Sequence, residues 1–183
     1  MKHVLVMPDE MERHVRRHLF QNELEQGAFL FGRVEQTPSE LRIVAADAYL
    51  IPPDGWEVQH TVYLQLKDAE RARIMKIARA GDFSLIDCHS HPDSGVSVSF
   101  SPSDVAGITE FATYVKWKLG SKPYVAMVWG ETSIDAVVWD GDFTRAQALS
   151  ELRITGVSPK VLVPRGSWFR RPRPYWRGNQ NGQ

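Results

Sequence analysis

"HSHPDSGVSVSFSPSD", residues 89–104, sets two histidines around one serine, continues through a loop of small residues and ends on Ser-x-x-Asp. Its two flanks decide how it is read. Ahead of it, "FSLIDCHSH" (83–91) reads as a strand, whose alternation places His89 and His91 on one face and Cys88 and Ser90 on the other. Behind it, "SPSDVAGITEFATYVKWKLG" (101–120) is the clearest helix in the chain. Ser101 suits the N-cap, Pro102 the first helical position and Asp104 the third, and Gly120 is the stop. A helix that begins just after such a loop can return its first turn to the end of the strand. His89, His91 and Asp104 can then share one metal ion and leave a fourth tetrahedral position for water, as catalytic zinc sites do. Zinc brings the pKa of such a water down to roughly 7.

The segments on either side predict an α/β domain. "KHVLVM" (2–7) reads as a strand and "PDEMERHVRRHLFQ" (8–21) as a helix. "GAFLFGRVEQ" (27–36) and "LRIVAADAYLI" (41–51) form a strand pair, and "EVQHTVYLQL" (57–66) is one further strand. "KDAERARIMKIARAG" (67–81) has helical spacing with basic residues near its end. "PYVAMVW" (123–129) and "SIDAVVWD" (133–140) pair around "GETS", and "TRAQALSELRI" (144–154) reads as a short terminal helix. The 183 residues, 43% hydrophobic and 24% charged, suit one globular domain with a sizeable core.

Charge separates this body from its tail. Residues 158–183 hold six of the 22 bases and no acid, leaving 16 bases against 22 acids in residues 1–157. The expected organisation is therefore a catalytic domain over 1–157 and a basic, aromatic, Pro/Arg-rich tail over 158–183 with little fixed structure. The acidic body counts against nucleic acid as its ligand. The tail, with Trp168, Phe169, Tyr175 and Trp176 among arginines, is the part that could touch it. No stretch is long and apolar enough for a membrane helix, and "PDEMER" cuts off the apolar opening "MKHVLVM". With its single cysteine, Cys88, the chain is expected to be cytoplasmic.

"HSHP", a loop and "SPSD" together resemble the motif of the JAMM metalloproteases, also called MPN or JAB domains: His-x-His-Pro, then Ser-x-x-Asp. That family places a glutamate far upstream, before a small and apolar stretch ending in glycine. "EQGAFLFG", Glu25 to Gly32, has that form, whereas Glu23 lacks the spacing. The resemblance covers roughly residues 1–138 and implies zinc held by His89, His91 and Asp104, Glu25 as general base and Ser101 as the hydroxyl that stabilises the oxyanion. Each role has its own chemical reason: a carboxylate can take a proton from water and deliver it to a leaving amine, and a hydroxyl aimed at the developing oxyanion acts most in the transition state. Nine residues separate His91 from Ser101, where the family usually has about seven. The register through Ser99 would put Pro102 at the ligand position, so only Ser101 and Asp104 keep a third ligand.

The resemblance further implies a mixed β-sheet flanked by helices, a three-layer core like that of cytidine deaminases. It implies hydrolysis of the bond after the C-terminal glycine of ubiquitin or a ubiquitin-like protein, the modifier's tail being taken up partly by strand addition. A compact chain of this kind looks most like stand-alone prokaryotic isopeptidases that act in conjugation, precursor-processing or anti-phage pathways. Two other readings stand beside it: a RadC-like JAB-domain protein associated with DNA, whose relatives share a similar signature, and a non-catalytic MPN scaffold, since many MPN domains have lost their ligands and only assemble complexes. All five functional positions are present, which counts against the scaffold.

Four further residues carry weaker signals. His14 and His18, four apart, read as a solvated basic helix face, since no Glu stands between them for an HExxH site. Cys88 faces away from the histidines and reads as a buried small residue. Asp87 shares their face and is a candidate to orient an imidazole.

Overall fold

The computed structural model describes residues 1–141 and 143–170, and the remainder of the basic tail lies outside the described residues. The strands are β1 (Lys2–Pro8), β2 (Gly27–Gln36), β3 (Glu40–Leu50), β4 (Trp56–Gln59), β5 (Leu64–Leu66), β6 (Ser84–Ser90), β7 (Tyr124–Trp129), β8 (Ile134–Trp139), β9 (Gln147–Ala148), β10 (Glu151–Thr155) and β11 (Lys160–Leu162). The helices are α1 (Asp9–Leu19), α2 (Asp68–Ala80) and α3 (Pro102–Leu119). Nine strands make one mixed sheet in the order β11-β10-β1-β3-β2-β6-β7-β8-β9, and β4 and β5 form a separate two-stranded ribbon. Val15 and Leu19 of α1 pack with Leu5, Leu30, Ile43 and Met127 on one face of the sheet. Ile74 and Ala78 of α2, with Ile108, Ala112 and Val115 of α3, pack with Phe31, Leu85 and Val128 on the other. The result is a three-layer α/β domain. No helix among the described residues is long and apolar enough to cross a membrane.

The centre of the sheet, β2-β6-β7, brings the motif together. β6 runs antiparallel to β2 and parallel to β7, so both partners grip it along its length. The β2–β6 register pairs Gly27 with His89. Two residues further out along the same register, Glu25 stands opposite His91.

Three expectations fail, each for a local reason. The segment 57–66 is not one strand: it turns at residues 60–63 and closes as the β4–β5 hairpin, the His60 amide donating to the Tyr63 carbonyl at 2.9 Å. The segment 144–154 is not a helix but β9 and β10, which extend opposite ends of the sheet. In "ELRIT" the buried residues, Leu152 and Ile154, alternate with more exposed ones, a period of two that a short helix-like composition masked. The boundary at residue 158 also does not hold. β11 pairs with β10, Lys160 Nζ reaches Glu12 at 3.2 Å, and residues 167–169 form a 3-10 turn with Trp168 against the core.

Candidate metal centre and its groove

The strand period sets up the site. In β6, Cys88 and Ser90 are fully buried beneath the sheet, and Asp87 and His89 turn to the side that carries α3. His91 follows directly, its amide bonded to the Trp129 carbonyl at 2.9 Å, which keeps the end of the strand in place. Ser90 turns away from the histidines and still serves them. Its Oγ accepts from the Gln26 amide at 2.9 Å and its own amide donates to the Gln26 carbonyl at 3.0 Å, fastening the residue next to Glu25. The sequence reading passes over Ser90, although a small polar residue between two strand histidines is the signal that points to it.

The start of α3 supplies the third group. Ser101 caps the helix, its Oγ accepting from the Asp104 amide at 3.1 Å while Asp104 Oδ2 accepts from the Ser101 amide at 2.5 Å. The same Oδ2 lies 3.6 Å from His89 Nε2 and 3.3 Å from His91 Nε2. The cap therefore aims the carboxylate at both imidazoles. Ser99 is exposed and Phe100 buried, so the chain joins the helix in the register of Ser101 and not of Ser99. The longer loop is taken up before Val98, where Gly95 has a φ of +60° and Val96 stands in solvent.

Ligand atoms of His89, His91 and Asp104 lie mutually within 4.8 Å. Two ligand atoms bound tetrahedrally to one zinc ion are about 3.3–3.4 Å apart when each bond is about 2.0–2.1 Å. The Asp104 separations of 3.3 and 3.6 Å agree with that spacing. His89 Nε2 supplies an independent test: it is buried and has no hydrogen-bond partner, an expensive state for a polar nitrogen unless something else engages it. The three residues fit one divalent cation.

Glu25 stands beside this group, Oε1 3.4 Å from His91 Nε2, and is 5% exposed. Its backbone is clamped from the ribbon side, the amide donating to the His60 carbonyl at 3.2 Å and the carbonyl accepting from Gln59 Nε2 at 2.9 Å. Burial raises its carboxyl to about 7, against the pull of the nearby imidazoles. Asp104 goes the other way. Burial works to raise it, but the nearby His89 and His91 imidazoles and the bond from the Ser101 amide hold it well below the usual carboxylate range. For His89, burial opposes the charged form, and Asp104 with Asp87 and Glu25 outweighs it, holding the imidazole above its ordinary value.

Asp87, the candidate to orient an imidazole, accepts from the Tyr124 hydroxyl at 3.2 Å and is raised by burial to about 6. Its hydroxyl partner is thus on β7, and it acts on His89 through charge. Cys88 is fully buried and burial pushes its thiol far up, out of reach of thiolate chemistry. His14 is exposed, but His18 leaves the solvated face: its Nε2 meets the Gly27 carbonyl at 3.1 Å, and burial lowers its pKa.

A groove of about 550 Å³ opens from this site between the β4–β5 ribbon and α3. Glu25, His89 and Asp104 lie at one end, and Phe111 and Tyr114 of α3 face Tyr63 and Leu66 of the ribbon along it. Trp56 roofs the groove beside Gly27, where an added Cβ would come within 2.7 Å of its Cη2. A side chain at position 27 would thus displace the indole.

No family model matches the chain, and no curated protein does. Among solved structures it is similar to the solution structure of protein DSY2949 from Desulfitobacterium hafniense, with 14% sequence identity and a TM-score of 0.50. The match covers 82% of this chain and 92% of that one. The likeness is one of fold alone.

Proposed function

We propose that the chain is a zinc-dependent isopeptidase of the JAMM type, hydrolysing the bond after the C-terminal glycine of ubiquitin or a ubiquitin-like protein. The observation that carries this reading is the pairing of two unlike carboxylates at one imidazole pair. Asp104 is held ionised among the imidazoles, and Glu25, 3.4 Å from His91, is buried and poised to exchange a proton near pH 7. A zinc ion held by His89, His91 and Asp104 would polarise the scissile carbonyl and acidify the attacking water.

The remaining work belongs to side chains. Glu25 takes the proton from the attacking water and later returns it to the leaving amine. The Ser101 hydroxyl spends a lone pair on the Asp104 amide and lies 2.8 Å from Ser103 Oγ, a pair in which either hydroxyl can donate, so its own hydrogen can be turned to the oxyanion. Along the groove, Ser103 to Tyr114 spans about 16 Å of helix axis, the length of roughly five extended residues. The β4–β5 ribbon has edges on which such a segment can add as a strand. A flexible tail ending in small residues suits this passage better than a folded surface.

The test is a panel of ubiquitin and ubiquitin-like fusions and lysine conjugates, with zinc assayed on the same sample. Cleavage after the terminal glycine that a chelator abolishes is expected. A protein loaded with one zinc that cleaves no member of a broad panel, but binds DNA in a salt-dependent way, would replace this reading with the DNA-associated one.

A further inference from the structure

The C-terminal segment crosses the domain at a buried carboxyl. Asp135, second residue of β8, has no exposed surface in a strand otherwise made of apolar residues. Such a group is costly to bury unless its oxygens are bonded. Two of its partners are consecutive residues of the C-terminal segment: the Gly166 amide donates to Oδ1 at 2.9 Å and the Ser167 amide to Oδ2 at 2.8 Å, with the Ser167 hydroxyl on Oδ2 as well. Gly166, with a φ of +70°, makes the turn that sets both amides toward the carboxyl.

What this latch holds is the start of α3. Ser167 Oγ accepts from the Phe100 amide at 3.3 Å. The Trp168 ring meets Phe100 edge-on at 5.2 Å and Trp139 at 5.6 Å. Phe100 in turn lies 6.3 Å from the His89 ring and immediately precedes Ser101. On the other side, the Val98 amide donates to Ser133 Oγ at 2.8 Å, so the loop is fastened from two directions.

We propose that Asp135 is a positioning residue for the metal centre: by clamping Gly166–Trp168 against Phe100, it fixes the backbone from which Ser101 and Asp104 reach the site and one wall of His89. The inference rests on the proposed metal site, but not on any particular substrate. It makes residues 163–170 part of the working domain.

The test uses the full chain with Ser167→Ala, Trp168→Ala and Asp135→Asn, and Ile154→Val in the opposite face of the core as a control for general destabilisation. Zinc affinity is read by competition with a chromophoric chelator, and ligand geometry by the visible absorption of the cobalt-substituted protein. Ser167→Ala and Trp168→Ala, which act on the ligands through Phe100, should each weaken zinc binding by up to about tenfold, the lower end of what losing a group bonded to a ligand costs, and alter the cobalt spectrum. Ser167→Thr should restore both, and Ile154→Val should change neither. Should Asp135→Asn fail to fold, the two milder variants decide. Zinc affinity and cobalt spectra in Ser167→Ala and Trp168→Ala that match Ile154→Val would overturn the inference. Because these readouts need no substrate, they stand apart from any failure of the proposed hydrolysis.

Discussion

Two stretches of chain flank the imidazole pair, and each delivers one carboxylate. Just ahead of β2, Glu25 is buried without a cationic partner strong enough to offset the loss of water, and its carboxyl rises to about 7. In the first turn of α3, Asp104 receives the Ser101 amide and faces both imidazoles, and it is driven the other way. The same residue chemistry is thus divided by local structure into a group that gives and takes a proton and a group that stays charged. In the proposed mechanism, ligand and base are told apart by their hydrogen bonds and burial rather than by their distance from the histidines.

The largest expected effect comes from removing the charged member. Asp104→Ala should weaken zinc binding by more than the ~100-fold that loss of an outer partner costs, and abolish turnover with it. It should also lower stability by about 1 kcal/mol, because half of the α3 capping box goes with the side chain. Metal content by elemental analysis and thermal melts read the two effects separately. Asp104→Ala retaining one tight zinc would erase the distinction between the two carboxylates.

Ser101→Ala sharpens the comparison from the helix side. Loss of an oxyanion donor should cut kcat by about 10²–10³-fold with zinc retained. Ser101→Thr keeps a hydroxyl and should recover most of the rate.

The sheet centre and the motif were legible in the sequence because β6 and α3 obey simple periods and a capping pattern. His89 and His91 share a face by alternation, and the cap at Ser101 aims Asp104. Legibility ended where distant partners decide. The strands β9 and β10 form because β8 and β1 offer open edges. The 163–170 segment is ordered by Asp135, a residue that in sequence is one acid in an apolar strand. The β4–β5 turn and its clamp on Glu25 depend on Gln59 and His60, which carry no motif.

The raised Glu25 carboxyl makes a prediction for the metal-free protein. Its folded value, about 7, lies above its ordinary 4.5, so the native state binds this proton more tightly than the unfolded chain does. Stability therefore falls as pH rises from about 4.5 through 7. Against Glu25→Gln, which cannot ionise, the wild type should be less stable at pH 8 by on the order of 3 kcal/mol, with the gap closing near pH 4.5. Urea unfolding of the two proteins across that range reads it, and a constant gap would show that Glu25 ionises as an ordinary surface carboxylate.

The smallest expected effect lies in the groove. Gly27→Ala should push the Trp56 indole aside and raise KM up to about tenfold, roughly 1.4 kcal/mol, with zinc content unchanged. A KM equal to that of the wild type would place the substrate away from Trp56.

The most direct measurement is zinc content and turnover on one preparation of Glu25→Gln. If the segment leading into β2 supplies the base and α3 the ligand, the variant holds one zinc per chain while hydrolysis falls by about 10³-fold. Glu25→Gln that keeps its activity, or that loses its zinc along with it, would contradict that division.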